Sequence, residues 1–199
     1  MWLAPEPLVL ASRSAIRRAV LEAAGIPVEV APADLDERAT EARAGTAEPG
    51  AVAALLARSK AEAAAALRPG RIVLGADQTL ALGQTRFSKP KDCAAARAQL
   101  LALRGQTHEL HSAVAVVRDR EVLYQGGDVA RLTMRPFSEE FLERYLDAAG
   151  PAVTASVGGY QLERVGIHLF EKIDGDHFTI LGMPLLPLLK FLRQAGLVA

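Results

Sequence analysis

This sequence contains one cysteine, few aromatic residues and no excess of either charge. Its single cysteine, Cys93, cannot form an intrachain disulfide, which is typical of proteins from a reducing compartment. Lys plus Arg and Asp plus Glu both number 23, so the chain has no global basic field with which to gather nucleic-acid phosphates. Aromatic residues make up only 5% of the chain, too few for the base-stacking platforms of single-strand binders. The composition therefore argues against a nucleic-acid-binding function.

Long apolar runs and the motifs of several common sites are missing too. No run approaches the ~18 apolar residues of a membrane span, and the segment Met1–Pro7 lacks the basic start of a signal peptide. The histidines are scattered, which leaves a zinc site without ligands, and the Gly-x-x-x-x-Gly-Lys-Ser/Thr motif of a P-loop does not occur. Cys93 is predicted to be a packed small residue on a helix rather than a nucleophile. We predict a cytoplasmic protein that does not bind membranes.

What the sequence does contain is a regular succession of helices and strands within 199 residues, enough for one full-sized core, and we predict a single domain over 1–199. Strands are predicted near 8–11, 28–30, 71–76, 110–117, 122–124, 129–134 and 167–171, and helices near 14–24, 51–67, 92–103, 139–148 and 184–195. The stretch 31–49 is predicted as a loop with at most one irregular helix. This order predicts an α/β fold with a mixed, twisted sheet and helices on both faces, and Pro136 marks the one place that could divide two lobes.

The first candidate site follows the first predicted strand, where Ser12 and Ser14 precede a helix that carries Arg17. The amides at a helix N-terminus bind anions, and an arginine one turn further can clamp a phosphate with two hydrogen bonds. The alternative is a plain capped helix with solvated arginines, because serine caps are common.

The second candidate is Asp77, which is predicted at the carboxyl end of a central strand and is followed by Gln78. Open α/β sheets place their ligands at this edge, where a carboxylate can hold Mg²⁺ or activate water. The alternative is that Asp77 only caps a turn.

Two lysines and a group of carboxylates are weaker candidates. Pro90 favours an extended conformation for Lys89, which would present its ammonium to a phosphate. Lys60 lies in an alanine-rich helix, and Glu62, two residues on, cannot face it. Glu37 ends the run Asp34-Leu35-Asp36-Glu37, which could supply metal ligands or be merely solvated.

The order of these motifs carries more information than any one of them. In sequence order they are Leu10-Ala11-Ser12-Arg13-Ser14-Ala15-Ile16-Arg17-Arg18, Asp36-Glu37, Lys60-Ala61, Gly75-Ala76-Asp77, Ser88-Lys89-Pro90, Gly105-Gln106-Thr107-His108, Ser112-Ala113-Val114-Ala115-Val116 and Gly175-Asp176 to Gly182-Met183-Pro184-Leu185. This order, over almost the whole chain, resembles the Maf family of nucleotide pyrophosphatases.

The resemblance implies a Maf or ITPase-like fold, with a mixed sheet in two lobes around a central cleft, often in a homodimer. It implies hydrolysis of a nucleoside triphosphate to monophosphate and pyrophosphate, with Mg²⁺ or Mn²⁺ as the divalent metal. By position, Asp77 matches the family's general base and Glu37 a second acid at the metal site. The matching phosphate-binding groups are Ser12, Ser14, Arg17, Lys60 and Lys89.

The chain departs from the family pattern where the base would be selected. The usual Ser-Pro-Arg-Arg is Ser14-Ala15-Ile16-Arg17 here, so one arginine is missing. Gln78 stands where the dTTP/UTP branch commonly has threonine and the 7-methyl-GTP branch glutamate. Glu163, in a glycine-rich stretch, matches the methyl-GTP branch, whereas the pyrimidine branch has glutamine. We expect Gln78 and Glu163 to influence the choice between 7-methyl-GTP-like and dTTP/UTP-like nucleotides.

A non-enzymatic role is the main alternative. A nucleotide-binding regulator of cell division and septum formation, a role also attached to this family, would need Ser12, Arg17 and Lys89 but not the two acids. The presence of Asp77 and Glu37 together with both lysines, all in the expected order, favours an enzyme.

Overall fold

The computed structural model describes residues 1–45 and 48–199. Its strands are β1 (Leu8–Leu10), β2 (Val28–Val30), β3 (Ile72–Leu82), β4 (Thr85–Phe87), β5 (Thr107–Arg118), β6 (Glu121–Met134) and β7 (Phe170–Asp174). Its helices are α1 (Ala15–Ala23), α2 (Glu37–Ala44), α3 (Pro49–Ala65), α4 (Cys93–Leu103), α5 (Glu139–Ala149), α6 (His177–Ile180) and α7 (Leu185–Gln194). Short 3₁₀ helices lie at Gly150–Thr154, Val157–Gly159 and Val165–Leu169. Among the described residues, no helix combines the length and apolar composition that a membrane span requires.

Polar N-caps set the beginnings of several helices. The side chains of Ser14, Asp92 and Ser138 accept backbone amide hydrogen bonds from the first turns of α1, α4 and α5. Gly25, with φ 74°, takes the left-handed conformation just after α1 and ends that helix. These local signals are why the predicted positions of the three helices are confirmed within a residue or two.

The sheet is mixed, as predicted. Its strand order is β2-β1-β3-β5-β6-β7, with β4 paired to β3. Strand β1 is parallel to β2 and to β3, with Leu8 opposite Val28 and Val9 opposite Val73. The pairs β3–β4 and β6–β7 are antiparallel. The α/β fold class with a mixed sheet is therefore confirmed.

The chain forms two compact units. The first unit contains residues 1–78, 111–128 and 176–199, and the second contains residues 79–110 and 129–175. The backbone passes from one unit to the other within β3, β5 and β6 and again after Gly175. Pro136, the one position that the sequence offered for a division into lobes, lies inside the second unit and does not separate the two units. Division inside continuous strands leaves no linker in the sequence that could have marked it.

In the first unit, helices cover both faces of the sheet. Successive residues of β1 point to opposite sides, and since all three are apolar, both sides need a helix to cover them. Leu8 and Leu10 pack in one cluster with side chains of α1 and α7. Val9 packs in another with Val73 and the alanines of α3. The alternation places α3 on the opposite face from α1.

In the second unit, α4 and α5 are joined by ion pairs and buried apolar residues. Arg97 of α4 contacts Glu139 and Glu143 of α5, each at 2.7 Å. Leu100 and Leu142 are fully buried in these helices. This unit carries the glycine-rich stretch between α5 and β7.

Several elements differ from prediction. Strand β3 continues to Leu82, where Gly83 (φ 59°) turns the chain into the unpredicted β4, so Asp77 lies within a strand rather than at its end. The segments predicted at 122–124 and 129–134 form one strand, β6. Cys93 is exposed at the start of α4, so its predicted packed position is wrong. Cys93 lies on the solvent side of that helix because Ala96, Leu100 and Leu103 form its buried side.

Candidate active site

Asp77 is the buried carboxylate of the first unit. Only 8% of the residue is exposed, although strand β3 carries it to within one residue of the point where the chain leaves this unit. Burial raises the pKa of Asp77 above its ordinary value, and the cations of Lys60 and Arg17 oppose that shift. A carboxylate whose pKa is raised toward neutrality is a better proton acceptor for catalysis than an exposed one.

Lys60 connects Asp77 to a second carboxylate. Its Nζ lies 2.5 Å from Oδ1 of Asp77 and 2.8 Å from Oε1 of Glu37. The Lys60 side chain is 14% exposed, whereas that of Glu37 is 51% exposed. The carboxylates of Glu37 on α2 and Asp77 on β3 therefore both contact the ammonium of Lys60 on α3.

Gly75 explains how helix α3 approaches the strand closely enough for this contact. A Cβ at Gly75 would collide with the carbonyl oxygen of Ala57 and would lie 2.7 Å from the amide nitrogen of Ala61. The glycine on the strand and the alanines on the helix let the two backbones touch. Lys60 is thereby held beside Asp77, two residues along β3 from Gly75.

Arg17 is fixed next to the same strand. Its Nε donates to the carbonyl oxygen of Gly182 at 2.9 Å, and its Nη1 donates to that of Ala76 at 2.6 Å and to Oγ of Ser12 at 3.3 Å. Burial lowers the pKa of Arg17 from its ordinary value, and the charges of Asp77 and Glu37 oppose the shift. The guanidinium is thus a preorganised cation that contacts the backbone of Ala76, the residue before Asp77.

The two serines organise the start of α1. Oγ of Ser14 caps the helix by accepting from the amide of Arg17, and Oγ of Ser12 accepts from the amide of Ser14 at 3.3 Å. Ser12 is 8% exposed. The first unit therefore brings together the predicted residues Ser12, Ser14, Arg17, Glu37, Lys60 and Asp77.

The donor set fits a divalent cation that shares its coordination with a substrate. Asp77 and Glu37 both lie within contact distance of one atom, so they are able to act on one cation. Among residues 1–45 and 48–199 there is no group of three or more His, Cys, Asp or Glu arranged to hold a metal. Mg²⁺ commonly takes one or two carboxylates and completes its shell with phosphates and water. Phosphate oxygens of the substrate would supply the remaining metal ligands here.

Two predicted residues belong to the second unit. Lys89 is exposed in the segment between β4 and α4, outside any helix or strand. Glu163 is exposed in a turn of the glycine-rich stretch. Their roles in phosphate binding and base choice stay predictions.

Gln78 makes contacts that the sequence did not indicate. Its Nε2 lies 2.9 Å from Oγ of Ser112, 3.1 Å from the carbonyl oxygen of Thr179 and 3.0 Å from that of Ile180. The amide nitrogen is therefore engaged by the protein, and a role of Gln78 in base choice would have to use Oε1. Gly182, which orients Arg17, was visible as part of a motif but suggested no role.

A family model and curated relatives match this chain over nearly all of its length. Residues 7–195 match the family model described as Maf-like protein. A protein of Rhodopseudomonas palustris named nucleoside triphosphate pyrophosphatase is 57% identical over 199 residues, covering 100% of this chain and 98% of its own. A protein of Rhizobium etli named 7-methyl-GTP pyrophosphatase is 51% identical over 194 residues, covering 96% of this chain and 97% of its own. A solved HAM1 protein from Coxiella burnetii, 15% identical with a TM-score of 0.44 over 64% of this chain and 72% of its own, is too distant to bear on function.

Proposed function

The chain belongs to the Maf-like protein family and is a nucleoside triphosphate pyrophosphatase, and we propose that it uses a divalent metal to release a nucleoside monophosphate and pyrophosphate. The observation that carries this proposal is the convergence of Asp77 and Glu37 on Lys60, beside the fixed guanidinium of Arg17. Anhydride hydrolysis needs a base for water and cations for the leaving pyrophosphate, and these four residues provide both.

In the proposed mechanism, the cations of the first unit bind the phosphate chain. Arg17 and Lys60 offset its negative charge, and the amides at the start of α1 offer further donors. By its match to the family pattern, Lys89 is also assigned to phosphate binding. Holding the triphosphate at several points fixes the reacting phosphorus relative to the attacking water.

Asp77 takes a proton from that water as the oxygen attacks phosphorus. The new phosphorus–oxygen bond forms while the α–β anhydride bond breaks, and its electron pair leaves with pyrophosphate. Burial raises the pKa of Asp77 and strengthens it as a base, while Lys60 and Arg17 favour its ionised form. Asp77 and Glu37 would hold the metal ion, Mg²⁺ or Mn²⁺, which when bound supplies a Lewis acid for the phosphate oxygens.

For the nucleobase, we assign Glu163 as the residue that favours guanine-type substrates, 7-methyl-GTP among them. An ionised carboxylate only accepts hydrogen bonds, which suits the N1 and N2 donors of guanine better than the carbonyl-flanked N3–H of uracil or thymine. The 51% identity to a protein named 7-methyl-GTP pyrophosphatase supports the same choice.

The test is a product analysis over a panel of standard and modified nucleoside triphosphates with Mg²⁺ or Mn²⁺. We expect monophosphate and pyrophosphate in equal amounts, no turnover after chelation, and the highest kcat/KM for a guanine-type nucleotide. Diphosphate and orthophosphate as primary products would contradict the proposed reaction. Tight nucleotide binding without turnover would instead favour the regulator of cell division.

A further inference from the structure

A turn at residues 179–182 connects the strand of Asp77 to the guanidinium of Arg17. Thr179 and Ile180 end helix α6, and Gly182 follows two residues after Ile180. Gln78 contacts the beginning of this turn and Arg17 contacts its end. All of these residues belong to the first unit.

On the strand side, the amide of Gln78 faces three acceptors. Its two hydrogens are shared among Oγ of Ser112 and the carbonyl oxygens of Thr179 and Ile180, at 2.9 to 3.1 Å. Ser112 also donates to the carbonyl oxygen of Thr179 at 2.7 Å. Ser112 is 2% exposed and Thr179 is fully buried. Loss of the Gln78 donor would remove a hydrogen bond from the carbonyl oxygen of Ile180 and one of three from that of Thr179, which also accepts from Ser112 and from the amide of Gly182.

The other side chains around Thr179 tie the turn down further. Oγ1 of Thr179 donates to Oδ2 of Asp128 at 2.8 Å, and its backbone amide donates to Oδ1 of Asp176 at 3.1 Å. The turn is therefore hydrogen-bonded to side chains of β3, β5 and β6.

On the arginine side, Gly182 turns its carbonyl oxygen toward the guanidinium. Its φ of +81° is the left-handed region that favours glycine, and its amide donates back to the carbonyl oxygen of Thr179 at 3.0 Å. A Cβ at Gly182 would lie 3.1 Å from Nε and Nη2 of Arg17. The carbonyl oxygen that Gln78 holds and the one that holds Arg17 thus belong to the same hydrogen-bonded turn.

The connection closes on β3 itself. Nη1 of Arg17 donates to the carbonyl oxygen of Ala76, which lies between Gly75 and Asp77. A ring of contacts therefore runs from Gln78 through the turn to Arg17 and back to the strand beside Asp77. Each step in this ring is a hydrogen bond of 2.6 to 3.1 Å.

We propose that Gln78 is a positioning residue that holds the Arg17 guanidinium for phosphate through the Thr179–Gly182 turn. This inference rests on the proposed function, in which Arg17 binds the phosphate chain. It assigns Gln78 an effect on all nucleotides alike, because the phosphates carry no base identity.

Inorganic pyrophosphate, a ligand without a base, separates this role from base recognition. The variant Gln78→Met keeps the length of the side chain but removes the donor. We expect it to weaken pyrophosphate binding, measured by calorimetry in the presence of Mg²⁺, by about tenfold, the typical effect of one hydrogen bond to a buried group. The control is Gln125→Met, because Gln125 is an exposed glutamine of the same unit whose amide donates to the carbonyl oxygen of Ala54 at 3.3 Å and not to the 179–182 turn.

A double-mutant cycle with Arg17→Met identifies the route. If Gln78 acts through Arg17, then adding Gln78→Met to Arg17→Met changes pyrophosphate affinity by less than about twofold. The same cycle with Gly182→Ala, which strains the other end of the turn, should show the same coupling. Gly182→Ala also replaces Gln78→Met in the cycle if that variant does not fold, as checked by circular dichroism.

The outcomes that oppose the inference are distinct from failure of the proposed function. Full additivity of Gln78→Met and Arg17→Met would overturn positioning while leaving Arg17 as a phosphate ligand. Unchanged pyrophosphate affinity with an altered ratio of kcat/KM between GTP and UTP would make Gln78 a base reader. Normal pyrophosphate affinity in Arg17→Met itself would overturn both the phosphate role of Arg17 and the positioning role of Gln78.

Discussion

Nζ of Lys60 lies 2.5 Å from Oδ1 of Asp77, although the residues are 17 positions apart on a helix and a strand. The contact holds a carboxylate that burial alone would push toward its neutral form. Because Glu37 contacts the same ammonium at 2.8 Å, Lys60 keeps a partner if Asp77 loses its charge. The effect of the Asp77 charge on turnover can therefore be measured separately from its effect on stability.

Asp77→Asn should abolish most turnover without unfolding the protein. The substitution keeps the size of the side chain but removes its basicity, so we expect kcat for pyrophosphate release to fall by at least ~10²-fold. Urea unfolding should show little change in stability, because Lys60 retains Glu37. Near-normal turnover in this variant would remove Asp77 from the mechanism.

Gly75→Ala should destabilise the first unit. The added Cβ would meet backbone atoms of Ala57 and Ala61, which cannot move without shifting α3. We expect a loss of about 1–3 kcal/mol in the free energy of unfolding, together with reduced kcat because Lys60 moves with the helix. Gly50→Ala is the control, since the atoms nearest to its Cβ would be side-chain atoms of Glu48 and His111, at 3.3 Å or more, rather than backbone. Equal stability of the two variants would contradict the close packing of α3 on β3.

Lys89→Ala should raise KM for every nucleotide by a similar factor, because a lysine that binds phosphate does not distinguish bases. The measurement is kcat/KM over the nucleotide panel. Lys91→Ala serves as the matched control, since the Lys91 side chain is 86% exposed and its contact to Asp92 is 4.0 Å long. A changed preference among bases with an unchanged overall rate would show that Lys89 does not act on phosphate.

Glu163→Gln should shift substrate preference toward UTP and dTTP. Glutamine offers both a donor and an acceptor, which matches the N3–H and carbonyl groups of these pyrimidines. A mismatched polar pair is worth ~1–3 kcal/mol, so the ratio of kcat/KM values should change about tenfold or more. Glu171→Gln, at an exposed position of β7, should leave the ratio unchanged. If Glu163→Gln also leaves it unchanged, then Glu163 faces solvent in the complex as well.

His108 should make stability depend on pH below neutrality. The residue is fully buried, with Nε2 2.7 Å from the hydroxyl oxygen of Tyr160, and burial lowers its pKa from 6.5 to about 4. As the pH falls, His108 therefore takes up a proton at a higher pH in the unfolded chain than in the folded protein. The contribution of His108 to stability is therefore largest above pH 6.5 and is lost as the pH drops toward 4, by about 2 kcal/mol between pH 7 and pH 5. Urea unfolding of His108→Gln should lack this contribution, whereas His168→Gln, at an exposed position, should retain it.

Local signals made much of the fold predictable from the sequence. Ser14 and Ser138 mark helix starts because their hydroxyl groups accept amide hydrogen bonds within three residues along the chain. Apolar runs and the order of the predicted helices and strands were enough to predict a mixed α/β sheet. The order of the motifs identified Asp77, Glu37, Lys60 and Arg17, which the structure brings together.

Only the tertiary structure decided how those residues are connected. Strand β3 continues past Asp77 because β4 pairs with it, and no local pattern marks where a strand passes from one compact unit to another. The convergence of Glu37 and Asp77 on Lys60 depends on the seating of α3 at Gly75, and the contacts of Gln78 depend on a turn about a hundred positions away. Periodicity and caps act over a few residues. These contacts arise from sheet order and helix docking, which join segments whose separation along the chain carries no information about their distance in space.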